Sequence, residues 1–396
     1  MSIAARGFTT TKASSFETGR EAAHEIGQGF VEPPRIVLAY LTVNHDQAAF
    51  LAGLREVLGA AVPIVGCYAQ GVVGSGVATE DGFGASVLGL GGDSIAVADA
   101  CVEEIAVDTL AKGKALGQAL RAKLSGPPKV TLVFFDPVAG ADADLFLAGL
   151  FSEVESPIIG GGSAHSFHYG ALNETYQYFG DRVLTRGAVA VALAGSFVAE
   201  LGICHGCSPV GVEMTVTKAD ANVVLELDGR PAIHVWRDIC GDTTESEGLI
   251  ANLAIGVHAS AETLSSDYLV RAAYAIDVAR GGLVLGSAIP EGTRIMLHHR
   301  TTEEVLDGAR RMAHGLRERL SGKRVRAIFC FECGARTKPF LGAEDTLKEN
   351  LMIQEAIGAG TACVGAMFWG ELFPVAGRPG FHNYSFPILA IADEAP

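Results

Sequence analysis

Two CxxC pairs, Cys204/Cys207 and Cys330/Cys333, are the first spacing with chemical content, because together they could supply four thiolates to a zinc ion. Both pairs close apolar, strand-like runs, where residues three apart face opposite sides of the strand, so each pair is expected to be split and no metal is expected. Buried free cysteines also serve simply as small apolar groups. Cys333, Arg336 and Glu371 offer a different chemistry: a thiol nucleophile, a cationic anchor and a carboxylate, as a cysteine-dependent enzyme acting on a small carboxylate or amide would need. No motif sets a histidine beside Cys333 and no nucleophile signature is present, so that enzyme is the alternative to a binding protein.

Arg336 carries information by itself. An arginine in a buried loop must answer Glu371 or another carboxylate, or hold a ligand carboxylate through its planar fork. Trp369, one of two tryptophans, stands beside Gly370 and Glu371, where its indole can wall a ligand cleft or fill the core. His382 and Asn383 precede the last apolar run, placed either to hydrogen-bond at the same strand end or to hold the turn.

The elements that must position these groups are written as a repeat. FLAGL occurs at 50–54 and again at 146–150, each time between two apolar runs, with a glycine turn and a third apolar run to follow. Arg35 and Pro63 are 28 residues apart, and so are Lys129 and Pro157. The apolar runs are short and rich in Val, Leu and Phe, which predicts strands buried on both faces with helices laid over them. Gly66 with Cys67, and Gly160 with Gly161, come directly after strands; such glycines either let a ligand approach the backbone or make tight turns only. A weaker third copy starts at Arg326 and ends in YSFPILAIAD, whereas 197 to about 320 reads differently, with a helix predicted over TTEEVLDGARRMAHGLRERL.

Composition bounds the function. A chain of 396 residues with 49% apolar residues, 19% charged residues and 49 glycines has ample material for a turn-rich core. A net charge of −15 argues against nucleic acid or anionic membrane surfaces as partners. Residues 187–204 come nearest to a membrane span, but Gly195, Gly202 and Glu200 interrupt them and two buried strands are expected instead. Eight scattered cysteines and a first stretch without the apolar segment of a secretory signal point to reduced thiols in the cytoplasm.

A family resemblance rests on specific strings. GCSPVG (206–211), ELDGRPA (226–232), CGAR (333–336), WGELFP and FHNYSF resemble the FIST C domain, and IVGCYAQG with IIGGGSAH resemble the FIST N domain. The resemblance implies a sensory module of bacterial signal transduction that binds a small ligand, of the amino-acid or small-carboxylate class, and acts through a separate partner such as a histidine kinase. It also implies that some relatives are haem-binding nitric-oxide sensors. Haem is therefore the candidate cofactor, held noncovalently because no CxxCH occurs, with His165, His168, His205, His234, His258 and His382 formally available as axial ligands. Relatives often carry an acidic residue near the end of the second glycine loop, where this chain has His165 and then His168.

The expected architecture is mixed α/β, with duplicated strand–helix–strand–strand units forming two sheet-containing halves flanked by helices. Residues 1–30 are read as an extension, 31–200 as a FIST N-like domain with its duplication at 35–92 and 129–196, and 201–396 as a FIST C-like domain. The ligand cleft is expected where Gly66, Cys67, Gly160, Gly161 and His165 meet Cys207, Cys333, Arg336, Trp369, Gly370, Glu371, His382 and Asn383.

Overall fold

The run IVLAYLT forms the strand Ile36–Thr42, buried at every position; its counterparts are Val130–Phe135, similarly apolar, and Val325–Cys333, apolar except for Arg326 and Glu332. Each leads into a covering helix: Gln47–Leu58, Ala143–Val154 and Gly342–Gly358. Asp46 and Asp142 start the first two helices by accepting the Ala49 and Leu145 N–H groups at 2.9 and 3.0 Å. A parallel strand follows in each case, Ile64–Ala69, Ile158–Gly162 or Ala362–Phe368, and then an antiparallel return strand, Ala85–Gly92, Ala188–Gly195 or Ile388–Asp393. The computed structural model describes residues 3–165, 174–240, 253–258 and 268–394. It shows a mixed α/β protein in which the third copy is as complete as the first two.

Each unit also has a leading strand and helix. These are Ile3–Thr10 with Ser15–Gly27, Ile95–Val102 with Thr109–Arg121, and Phe197–Gly202 with Thr302–Arg319. The repeated FLAGL string has its explanation here. Its glycines, Gly53 and Gly149, lie where the two helices of a unit cross, and a Cβ on either would come 2.1 or 2.2 Å from the carbonyl oxygen of Phe16 or Leu110. Gly19 and Gly113 answer from the other helix with the same clearance. Backbones packed this closely leave no room for any side chain.

The three sheets exchange hairpins in a cycle. Residues 71–79 of the first unit pair with Ala362–Phe368 of the third, 177–184 of the second with Ile64–Ala69 of the first, and 371–382 of the third with Ile158–Gly162 of the second. At the ends of the parallel strands three backbone hydrogen bonds close a ring: Gln70 N–H to Met367 O at 3.1 Å, Ala164 N–H to Tyr68 O at 3.1 Å, and Trp369 N–H to Gly162 O at 2.9 Å. The inner faces of the sheets share one core, in which the equivalent rings Tyr40, Phe134 and Phe331 gather around Phe368 at centroid distances of 5.8, 6.0 and 5.8 Å. The helix pairs cover the outer faces.

Residues 207–300 are inserted between the leading strand and the helix of the third unit. Their described residues form a separate antiparallel sheet, running from Tyr268–Arg271 through Cys207–Asp220 to Ala273–Asp277, with Trp236 of the helix Ala232–Cys240 fully buried in its own core. No described helix is long and apolar enough to cross a membrane; 187–204 contain the strands Ala188–Gly195 and Phe197–Gly202.

Candidate functional site

The internal repeat gives three structurally equivalent corners, one where the first strand of each unit ends. Thr42, Asp136 and Cys333 occupy the same place: their N–H groups donate to the carbonyls of Gly84, Gly187 and Ser385, which begin the return segments. The exchanged hairpins bring a third residue to each corner, and strand register makes Val72, Gln177 and Glu371 equivalent. The first corner is therefore Thr–Val–Gly, the second Asp–Gln–Gly and the third Cys–Glu–Ser. Thr42 and Asp136 do structural work by accepting backbone N–H groups, from Gly84 at 2.8 Å and from Val138 and Arg186 at 2.9 Å each. At the third corner the Ser385 N–H and hydroxyl donate to Glu371 instead, at 3.2 and 2.9 Å. Only there does the repeat assemble a thiol beside a carboxyl.

That corner is also the one roofed by the inserted sheet. Asn383 accepts the Ala272 N–H and gives its own N–H to Val270 O, while its amide donates to the Tyr274 hydroxyl at 2.7 Å. The Tyr274 hydroxyl faces Cys333, Glu371 and Tyr384, although Tyr274 as a whole is 44% exposed and stands at the rim of the seam. Cys207, Ala254, Val270, Ala272, Cys333 and Tyr384 form the apolar lining. Asp144, on the helix Ala143–Val154, clamps the roof by accepting from Arg271 at 2.7 Å, Ser287 at 2.6 Å and the Phe381 N–H at 3.1 Å. Asp144→Ala should cost about 1–3 kcal/mol through the orphaned donors. Amide hydrogen exchange should report the loosening first within 207–300.

Burial sets the charges. Glu371, with no exposed surface, has its carboxyl pushed up to about 8 by desolvation, with the Ser385 hydrogen bonds opposing the shift. Burial and the neighbouring Glu371 both raise the Cys333 thiol, so at rest it keeps its proton. His382, opposite Glu371 across the hairpin, is held neutral by burial, with its titration lowered to about 3; Arg271 and His205 add to the effect. Several buried atoms here have no hydrogen-bond partner: Nε and Nη1 of Arg271, and Oε1 of Glu371.

A model of the FIST N domain matches residues 35–230 and one of the FIST C domain matches residues 232–374. The chain belongs to the FIST family. FIST domains are associated with sensing in signal transduction. An uncharacterized protein of Mycobacterium tuberculosis is 25% identical over 390 residues, 96% of this chain and 97% of its own length. A Mycobacterium bovis protein is 26% identical over 218 residues, covering 54% of this chain and 55% of its own. One from the archaeon Methanocaldococcus jannaschii is 31% identical over 113 residues, 28% of this chain and 21% of its own. Among solved structures, a cyanuric acid hydrolase of A. caulinodans overlaps 49% of this chain and 70% of its own at 12% identity and a TM-score of 0.29, too slight a likeness to carry an argument.

The FIST motifs divide between this seam and its supports. CGAR supplies Cys333 to the seam but turns Arg336 away from it. The Arg336 fork pairs with Glu349 and gives its remaining N–H groups to His205 O at 2.9 Å, Val305 O at 3.2 Å, Tyr384 O at 3.4 Å and Cys204 Sγ at 3.6 Å. Every donor is spent on the protein, so Arg336 is a structural cross-link and does not meet Glu371. Trp369 is oriented by Gln70 at 3.0 Å and packs edge-on against His165 at 4.4 Å, by the ring of backbone bonds. Gly66 and Gly160 lie inside their strands, where a Cβ would come 1.8 or 2.0 Å from the carbonyl oxygen of Ala39 or Val133; Gly161 fits against Phe368 and Gly370. Cys67 faces the central core.

The CxxC pairs are split. Cys330 lies 3.7 Å from Cys363 on the helix-covered side, and Cys204 shares that cluster, while Cys207 and Cys333 face the seam. Among the described residues no group of three or more metal-ligating side chains is present. His234 is exposed, and His168 lies outside the described residues. Sequence reasoning missed Arg271 and Tyr274, and also His298 and Arg300. His298 packs on Tyr268 at 4.6 Å; Arg300 is sandwiched between Phe340 and Tyr384 at 4.0 and 3.9 Å. The signal available for the last two was the polar stretch HHR that closes the strand RIMLHHR after its apolar residues IML.

Proposed function

We propose that this FIST protein is a cytoplasmic sensor that binds a small carboxylate, such as an amino acid, in the seam between the inserted sheet and the third corner. The observation that carries this reading is the set of unspent buried atoms on Arg271 and Glu371. Leaving such groups unpaired costs free energy that a ligand would recover. Two free N–H groups of one guanidinium suit a carboxylate, and a carboxyl that is mostly neutral near pH 7 can donate a hydrogen bond as well as accept one. The seam joins two separately built sheets, so a ligand there favours one packing of the insert against the core and presents a changed surface to a separate partner of the histidine-kinase kind.

Thermal unfolding against a panel of amino acids and small carboxylates tests this. A ligand at a hundred times its Kd adds about 2.7 kcal/mol and should raise Tm by several degrees, and Arg271→Gln should abolish the rise. If no member of the panel shifts Tm, the reading fails. For a noncovalent haem, the buried His382 would be the axial imidazole, yet the arginine and carboxyl beside it suit a small anion better than a porphyrin face. Purified protein is accordingly expected to show no Soret band.

A further inference from the structure

We infer that Cys333 is a nucleophile that adds reversibly to the carbonyl carbon of a small oxo acid, with Glu371 carrying the proton. This rests on the sensing reading for its ligand site but on a separate observation for its chemistry: what the third copy of the repeat has done to a shared corner.

At the second corner the Asp136 carboxylate sits in a cradle of two backbone N–H groups, from Val138, two residues on, and from Arg186, in the return loop. The third corner keeps that cradle. The Cys333 sulfur is met by the N–H of Ala335, two residues on, and of Tyr384, the equivalent of Arg186. Both loop residues hold the same left-handed backbone, with φ of 53° at Arg186 and 57° at Tyr384. A backbone built to hold a carboxylate anion therefore holds a sulfur atom, and two convergent N–H groups stabilise a thiolate as they stabilise a carboxylate. The neighbouring hairpin position has changed with it, from the amide of Gln177 to the acid of Glu371. That carboxyl and the Cys333 thiol act on each other electrostatically, and its Oε1, fully buried, has no hydrogen-bond partner.

The pair suits addition to a carbonyl. In the ionised form of Glu371, about half of the molecules at pH 8, the carboxylate takes the thiol proton, the Cys333 Sγ–carbon bond forms as the carbonyl π bond opens, and Glu371 returns the proton to the new alkoxide. Thiol and carbonyl become a thiohemiacetal with no leaving group, oxidant or reductant, and the reverse path releases the ligand unchanged. A base works best when its affinity for protons lies near the working pH, which burial has arranged for Glu371. Arg271 and its two unspent N–H groups would take the carboxylate end of the same molecule.

Alkylation by iodoacetamide, followed site by site with mass spectrometry on the folded full-length protein at pH 8, tests the nucleophile. Cys333 should react faster than Cys204, Cys207 and Cys330, and Glu371→Gln should slow it by about a hundredfold. In Tyr274→Ala, which opens the rim, the ranking should hold at higher absolute rates. Cys333 reacting no faster than the other three in both proteins overturns the inference. Glyoxylate should protect Cys333 from alkylation while glycolate, which lacks the carbonyl, should not. Equal protection by the two overturns the covalent step and leaves the sensing reading standing. Fast, Glu371-dependent alkylation together with no thermal shift from any carboxylate supports the nucleophile and removes the sensing reading.

Discussion

Arg336→Ala is expected to destabilise the protein by about 3–5 kcal/mol, read as a lower urea midpoint with an unchanged slope. Arg336 and Glu349 both have no exposed surface, so removing the cation strands a carboxylate where water cannot solvate it. The carbonyls of His205, Val305 and Tyr384 lose their donor in the same step. Arg336→Met combined with Glu349→Leu removes both charges and should recover a good part of the loss, because a buried ion pair and a well-packed apolar pair are of similar stability. If the single variant unfolds at the wild-type midpoint, the cross-link contributes nothing to holding the CGAR loop.

The second large effect is in the pH dependence of stability, through Glu371. An ordinary glutamate titrates near 4.3, and in the folded chain this one titrates at about 8. Below about pH 4 both states hold the proton and Glu371 costs nothing. Between about pH 4 and pH 8 the unfolded chain releases a proton that the folded chain retains, so stability falls as pH rises, by a few kcal/mol over the window, and then levels off. Glu371→Gln has no proton to release. Its amide oxygen can still accept from Ser385, so the variant should match the wild type near pH 4 and be the more stable protein at pH 8. Urea unfolding at the two pH values checks this; parallel curves would mean that Glu371 is ionised in the fold.

Much of the architecture was legible because its signal is local. Strands buried on both faces must be continuous apolar runs, and the 28-residue spacing of Arg35–Pro63 and Lys129–Pro157 follows from one strand, one covering helix and one turn. The exchange of hairpins was not legible. Glu371 pairs with Gly161 and Val73 with Gly365 across more than two hundred residues, and nothing near either position states its partner. The candidate site divides in the same way. Cys333, Glu371, His382 and Asn383 share a seam; Cys333 closes one apolar run, and His382 and Asn383 precede another. Arg336 left the group because the nearest carboxylate in space, Glu349, sits on the inner face of a helix thirteen residues later, a fact fixed by helix packing. Arg271 and Tyr274 entered it from an inserted sheet whose docking face no short motif records.

The cyclic hairpin exchange limits how this chain can be cut or inherited. One strand–helix–strand–strand unit by itself would expose an unpaired edge, lose the neighbour's hairpin that covers it, and leave an apolar face without the other two walls of the core. A gene encoding a single unit could satisfy its own surfaces only by closing as a homotrimer, each copy lending an arm to the next. Fusing three copies end to end removes the need for identical corners, and that freedom is what lets one vertex carry Cys–Glu–Ser while its siblings remain scaffolding.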